Sequence, residues 1–366
     1  MAIAPVKRLR FAFNAPQHRP CEERVPERRG NLFGARRLSA PRAGAYTASE
    51  RGGRVVSQQP VIWVVGSLNA DLVLPVERMP LPGETVPGGA LAIHPGGKGA
   101  NQACAAGRLG ARVRMVGNVG QDHLGALLLE SLSDAGVDTA GVHRVPEPTG
   151  VASIYVLPDG ENAIAISPGA NGALAPEDVE TRLLGIAPGD FLLCQLEVPI
   201  GTVAAALRIA REAGATTLLD PAPAAAFLPG LLEQADYLTP NETEAAAILA
   251  CAPGELNHAE AWCNASARLR AAGARSVVLK LGAAGCYLDD GATQHHAPGY
   301  RVAAVDTTAA GDTFNGAFAT LMAEGAPVAE ALDFACAAAA LSVTRPGAQS
   351  SMPVRSEVES LRSKSI

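Results

Sequence analysis

The stretch FLLCQLEVPIGTVAAALRIAREAGATTLLD, residues 191–220, decides the architecture. Residues 191–195 form a short apolar run, 202–213 follow a helical period, and 216–220 form a second short run that ends in Asp220. Runs of this length predict buried strands, and a helix between two of them predicts a parallel sheet covered on both faces. Downstream the alternation continues, with helices predicted over 242–249 and 259–272 and a strand over 276–281. Upstream, VIWVV at 61–65 ends in Gly66 and reads as a buried strand; a helix over 99–109, a strand over 112–116 and a helix over 124–135 follow. The expected fold is α/β in three layers, a central, mostly parallel sheet between helices. Two segments do not fit that sheet. Residues 71–76 alternate before a run broken by Pro80, Pro82, Gly83, Pro87, Gly88 and Gly89, and residues 151–157 and 163–166 alternate about a Pro158-Asp159-Gly160 turn. Together, segments near 70–95 and 150–167 are expected to form a small β-sheet lid.

At 366 residues the chain exceeds one average domain, yet α/β units of roughly 300 residues with one large core are common. Residues 1–60 carry twelve Lys/Arg against four Glu, a balance of +8 in a chain whose net charge is −6. That segment is rich in Pro, Gly and Gln without apolar periodicity and is read as a disordered basic extension. A transit peptide, a nucleic-acid-binding arm or an upstream extension from a misplaced start would each look like this. Its glutamates and sparse serines weaken the transit reading, and it lacks the apolar core of a secretory signal. The body of the protein is acidic, so no nucleic-acid partner is expected for it. Seven scattered cysteines without a C-x-x-C pair support neither a zinc site nor a disulfide framework, and point to a cytoplasmic protein, with the basic segment leaving an organellar address open. No apolar run reaches the roughly 18 residues needed to span a bilayer.

Chemistry concentrates at TTAAGDTFNG, residues 307–316, where small residues lead through Gly311 and Asp312 into a predicted helix. Free backbone N–H groups at such a junction face anions, and the helix dipole favours negative charge there. A carboxylate beside that hole suits taking a proton from a hydroxyl that attacks a phosphoryl group. A simple helix cap would have the same residues.

Four further clusters bear on the site. Asn69-Ala70-Asp71 follows the first strand at its carboxyl end, where it is either a polar turn or a pair of ligands for neighbouring hydroxyls. Residues 95–101, PGGKGAN, put glycines before a helix whose first turn holds Lys98 and Asn101. Gly99 stands where a Walker loop needs Ser or Thr, so magnesium coordination of that kind is excluded. Asn241 and Glu244 open a helix after Pro240; they are dipole partners or face a magnesium-bound triphosphate through water. Leu281-Gly282-Ala283-Ala284-Gly285 turns the chain or makes room for a nucleotide. Asp306 and residues 345–351 offer oxygens that could enclose a cation. The first strand is followed by GSLNAD and not G-x-G-x-x-G, which excludes a nicotinamide-dependent Rossmann enzyme.

Taken together, GSLNAD (66–71), PGETV (82–86), GGKGANQA (96–103), GANGAL (169–174), QLEVP (195–199), DPAPA (220–224), TPNETEA (239–245), VDTTAAGDTFNGA (305–317) and VTRPGAQSS (343–351) resemble the ribokinase (PfkB) family of carbohydrate kinases. The likeness covers residues 61–356, leaving 357–366 as a C-terminal tail. It implies a ribokinase-like α/β/α fold with a β-lid that closes over the sugar and forms a homodimer interface. It also implies ATP-dependent phosphorylation of D-ribose. By the same likeness Asp312 is the catalytic base, and Gly311, Ala310 and Ala309 form the anion hole. Asn69, Asp71, Gly97, Lys98, Asn101 and Glu197, with Gly99 in the same glycine run, are the sugar positions. Asn241 and Glu244 are the phosphate and Mg2+-water positions; Lys280, Leu281, Gly282, Ala283, Ala284, Gly285 and Cys336 line the nucleotide. Asp306, Thr308, Ser342, Arg345, Gly347 and Ser351 form a K+ site. The chain departs from the family pattern at Lys280, often Thr, at Ala283-Ala284, often Ser-Arg, and at Cys336, often His or Asn. All three bear on phosphate-donor preference. The alternatives are a kinase of the same family for deoxyribose, a nucleoside or a ketose, and a sugar-binding pseudokinase; an intact Asp312 argues against the latter.

Overall fold

The computed structural model describes residues 59–224 and 230–364, so the basic extension expected over 1–60 lies almost wholly outside the described residues. Strand β1 (Val61–Val65) leads into β2 (Asn69–Pro75) and β3 (Ala92–Gly96), after which α1 (Lys98–Arg108) begins. Next come β4 (Arg112–Gly120), α2 (His123–Asp134), β5 (Val137–Val145), and the hairpin of β6 (Gly150–Val156) and β7 (Asn162–Ser167). Helix α3 (Pro176–Arg182) precedes the alternating run β8 (Phe191–Cys194), α4 (Ile200–Glu212), β9 (Thr216–Leu219), β10 (Tyr237–Leu238), α5 (Glu242–Leu249), α6 (Ala259–Ala271) and β11 (Ser276–Lys280). The chain closes with β12 (Cys286–Asp289), β13 (Gln294–Ala297), α7 (Ala310–Ala323), α8 (Val328–Ser342) and α9 (Arg355–Lys364).

Among the described residues the main sheet has nine strands in the order β13-β12-β11-β10-β9-β8-β1-β4-β5. It is parallel from β11 to β5, with an antiparallel β12-β13 edge. Alternation along β1 shows the layering. Ile62 and Val64 enter a core with Ala103 of α1, Leu128 of α2, Phe318 of α7 and Phe334 of α8. Trp63 and Val65 enter the opposite core with Val179 of α3, Leu207 of α4, Ala245 of α5 and Leu269 of α6. A strand covered on both faces has no polar side to offer, which is why these runs are almost wholly apolar.

The two segments set apart in the sequence form a separate four-stranded sheet in the order β3-β2-β6-β7. Strand β3 was not predicted because Pro95 and its glycines read as a break; Pro95 is tolerated because β3 is an edge strand. Strand β5 was also missed: it is an edge strand whose pairing shifts register between Arg114 and Val116, so its apolar residues do not alternate cleanly. Residues expected as a tail from 357 onward continue α9 as far as Lys364; Val358 is buried there, and Arg362 pairs with Asp333 at 2.7 Å. Among the described residues no helix is long and apolar enough to cross a membrane.

Two glycines set how closely α1 meets its neighbours. A Cβ on Gly99 would stand 2.7 Å from the Gly66 carbonyl carbon and the Ser67 nitrogen, so the start of α1 rests directly on the loop after β1. A Cβ on Gly316 would stand 2.7 Å from the Gln102 carbonyl oxygen, so α1 and α7 cross nearly in backbone contact. That crossing brings Asn101 and Gln102 to Asp312.

Candidate active site

The carboxyl ends of β1, β8, β9 and β11 carry, in turn, Asn69, Glu197, Asp220 and Lys280 on one edge of the sheet. Open α/β sheets place their ligands at this edge. Helices α1 and α7 begin above it.

Asp312 lies in the first turn of α7 and is only 5% exposed. Asn101 Nδ2 donates to its Oδ2 at 3.1 Å and Gln102 Nε2 to its Oδ1 at 3.1 Å. Burial pushes its carboxyl up to about 6, with Lys98 pulling the other way and Asp220 adding to the rise. Ala309 caps the helix in the left-handed region (φ 59°, ψ 14°), a costly conformation for alanine that turns the chain into α7. Of the expected anion-hole residues, Ala310 closes a turn through its N–H to the Thr307 carbonyl at 3.3 Å.

Two of the expected sugar residues, Asn69 and Lys98, meet at the Glu197 carboxylate. Glu197 Oε2 accepts from Ser67 Oγ at 2.6 Å, from the Lys98 amide at 3.1 Å and from Asn69 Nδ2 at 3.4 Å. Asn69 is buried, and its Oδ1 accepts from Asn171 Nδ2 at 2.7 Å. Asp71 stands at the same end of β2, and burial, with Glu197 and Asp312 nearby, pushes its carboxyl up to about 7. For the Lys98 ammonium, burial works to lower the pKa, but Asp312, Asp220, Glu197 and Glu244 outweigh it and hold it well above the ordinary value. Gly97 caps α1 at φ 89°, just before Lys98, whose amide joins this cluster, while Asn101 further along α1 reaches Asp312 instead.

On the other flank, Asn241 and Glu244 form a reciprocal cap at the start of α5. The Asn241 amide donates to Glu244 Oε2 at 2.7 Å and the Glu244 amide to Asn241 Oδ1 at 2.8 Å. The dipole reading is therefore realised, and Glu244 is also nearly buried, its carboxyl raised by burial against the pull of Lys280. Lys280 Nζ donates to Asp220 Oδ1 at 2.9 Å. After it, Leu281 is buried and Gly282–Ala284 make an exposed 3-10 turn. Cys336 lies in the core, its Sγ 3.6 Å from that of Cys286, the residue after Gly285.

The expected cation residues also converge. Asp306 Oδ2 accepts from the Gly347 amide at 2.8 Å and Oδ1 from the Thr308 amide at 2.9 Å. Burial acts to raise the Asp306 pKa, but hydrogen bonds from Thr308 and Gly347 outweigh it and hold the carboxyl below its ordinary range. The Val305 amide reaches the Val343 carbonyl at 2.7 Å, and the Arg345 amide the Ser342 carbonyl at 3.3 Å. The Arg345 guanidinium is occupied by Glu357 at 2.5 Å, leaving its backbone carbonyl as the group that could face a cation. Ser342 and Ser351 are buried, each hydroxyl bonded to a carbonyl three residues earlier at 2.8 Å.

Four residues of the site, Gln102, Gln195, Asn171 and Asp220, escaped the sequence reading. Gln102 bridges Asp312 and Asp220, Gln195 donates to Gln102 Oε1 at 2.7 Å, and Asn171 holds both the Leu68 backbone and Asn69. All lie inside quoted motifs, but spacing alone does not say which side chains meet across 93 to 210 residues.

This geometry, two hydrogen-bonding clusters flanking a buried carboxylate at a helix start, is what a sugar kinase requires. Residues 60–355 match the model of the pfkB family carbohydrate kinases, and the chain belongs to that family. It is 41% identical over 295 residues to a ribokinase of Haemophilus influenzae, covering 80% of this chain and 95% of that one. It is 36% identical over 294 residues to a deoxyribokinase of Salmonella typhimurium, covering 80% and 95%. Among solved structures it resembles that of Arabidopsis thaliana ribokinase complexed with ribose and ATP, with a TM-score of 0.76, 36% identity, and 83% and 99% of the two chains covered.

Proposed function

We propose that the protein transfers the γ-phosphoryl group of ATP to the 5-hydroxyl of D-ribose, giving D-ribose 5-phosphate and ADP. The observation that carries this reading is Asp312. It is buried at the start of α7, where Asn101, one of the expected sugar residues, and Gln102, which also bonds Asp220, both donate to it. The ribose- and ATP-complexed Arabidopsis relative and the Haemophilus ribokinase support the substrates.

Asn69, Asp71 and Lys98 would hold the sugar hydroxyls, with Glu197 fixing Asn69 and the Lys98 amide. Dense polar pairing discriminates sharply, because an analogue lacking a hydroxyl leaves a buried group unpaired. Asp312, with a pKa of about 6, is ionised at neutral pH and basic enough to accept the 5-hydroxyl proton as that oxygen attacks the γ-phosphorus. The bond from phosphorus to the ADP oxygen breaks. The α7 N-terminus, with Gly311 at its apex, would meet the charge on the transferring group.

Asn241 and Glu244 fit a magnesium held through water: the Asn241 amide engages Glu244 Oε2, and the carboxylate retains a second oxygen. Magnesium, when bound, neutralises triphosphate charge. The backbone around Asp306, Thr308, Ser342, Arg345, Gly347 and Ser351 fits a potassium ion, since hydrogen bonds from Thr308 and Gly347 hold Asp306 anionic there. A homodimer through the small sheet is supported by its register, which puts exposed Ile164 and Ile166 on the same face as Asp71. Free thiols at all six described cysteines favour a reducing, cytoplasmic setting.

The deciding experiment measures ADP release from Mg-ATP with ribose, deoxyribose, fructose and adenosine, each in potassium and in sodium. Preference for ribose with stimulation by potassium is the expected result. Preference for deoxyribose would move the protein toward its Salmonella-type relatives and keep the mechanism. No turnover on any of the four by folded protein would sink the kinase reading.

A further inference from the structure

Gln102 commits both hydrogens of its side-chain amide to carboxylates: Asp312 Oδ1 at 3.1 Å and Asp220 Oδ2 at 2.9 Å. Its own oxygen accepts from Gln195 Nε2 at 2.7 Å, which fixes the end of the amide that faces the acids. The other oxygen of Asp220 takes Lys280 Nζ at 2.9 Å. Gln102, Gln195 and Asp220 are buried to within 1% of full enclosure. A Cβ on Gly311 would stand 3.3 Å from Lys280 Nζ, so the ammonium lies beside the residue immediately before Asp312.

We propose that Gln102, Asp220 and Lys280 are positioning residues for the base: Gln102 fixes the orientation of Asp312, Asp220 anchors Gln102, and Lys280 supplies the counter-charge that lets two carboxylates share one amide. The proposal rests on the reading of Asp312 as base. Two anions joined by a single neutral amide repel each other, and the repulsion favours protonation of one of them unless a cation compensates. The charged groups that bear on Asp312 are Lys98 from α1, Asp220 after β9 and Asp71 from β2, while Lys280 at the end of β11 acts through its bond to Asp220. Lys280 bonds Asp220 and lies beside Gly311, so deleting its charge leaves Asp220 uncompensated next to the base.

The test is the pH profile of kcat on ribose for Lys280→Met, Asp220→Asn, Gln102→Leu and the double variant Asp220→Asn with Lys280→Met, each checked for folding by near-UV circular dichroism. Lys280→Met is expected to move the acid limb up by roughly half a unit or more, Asp220→Asn to move it down, and the neutral double variant to return it toward wild type. Gln102→Leu is expected to lower kcat roughly 10- to 100-fold with KM for ribose retained, since only the orientation of the base is lost. An acid limb that stays in place, with kcat within about twofold across the set, overturns the proposal. Where a single charge deletion fails to fold, Gln102→Leu and the double variant decide by the same criteria. An active wild type with unmoved profiles sinks the network alone; an inactive wild type sinks the base reading beneath it.

Discussion

On the proposed reading of Asp312 as base, it carries opposing demands at the scale of one residue. A fully exposed carboxylate would be too weak a base at neutral pH, and burial raises its proton affinity at a cost in stability. Asp312→Asn is expected to lower kcat by about two to four orders of magnitude while ribose binding, measured by calorimetry, stays near wild type. Near-normal turnover would remove Asp312 from its role. Linkage gives a second, independent readout. The folded pKa of about 6 lies above the ordinary 3.8, so the native state binds this proton more tightly than the unfolded chain. The destabilisation is fully present above pH 6 and is relieved as pH falls through that value toward 4. Relative to wild type, Asp312→Asn should therefore gain stability as pH rises from about 4 to about 7, by up to about 3 kcal/mol. Urea unfolding of both proteins across that range measures it; a stability difference independent of pH would refute the raised pKa. At this scale the sequence was informative about identity and poor about partnership. Asp312, Asn69 and Glu197 stand in legible motifs, whereas the fork of Gln102 onto two acids depends on a helix crossing that no local pattern encodes.

Elements explain how those side chains come to meet. Helices α1 and α7 approach closely only because Gly316 presents no side chain toward the Gln102 carbonyl. Gly316→Ala would force them apart and is expected to destabilise the fold by about 1–3 kcal/mol, the range for overpacking a tight interior. It should lower kcat more than it raises KM, since the shift separates Asn101 and Gln102 from Asp312. Thermal melts and steady-state kinetics on the same sample check both, and a variant equal to wild type in each would show that the crossing has slack. The element pattern was largely readable. Buried strands such as β1, β8 and β9 announce themselves by short apolar runs, and α4 and α6 by their period. Edge strands were not: β3 contains Pro95, and β5 is half-exposed with a register shift, so neither had to satisfy the alternation that a covered strand must.

For the whole molecule, the family match begins at residue 60, next to β1, and the described body accounts for nearly all of the relatives' length. Deleting residues 1–58 is expected to leave kcat, KM and the melting temperature unchanged. Loss of folding or turnover in the truncated protein would assign that segment to the catalytic unit. The placement of the site across two sheets also bears on how such a protein diversifies. Asn69 and Asp71 begin β2 of the small sheet, while Asp312, Gln102, Asp220 and Lys280 belong to the large body. On the proposed roles, substitutions along one short strand can therefore redraw which acceptor is welcomed while the apparatus proposed to handle the phosphoryl group is inherited intact. A lineage built this way can change its diet without reinventing its chemistry.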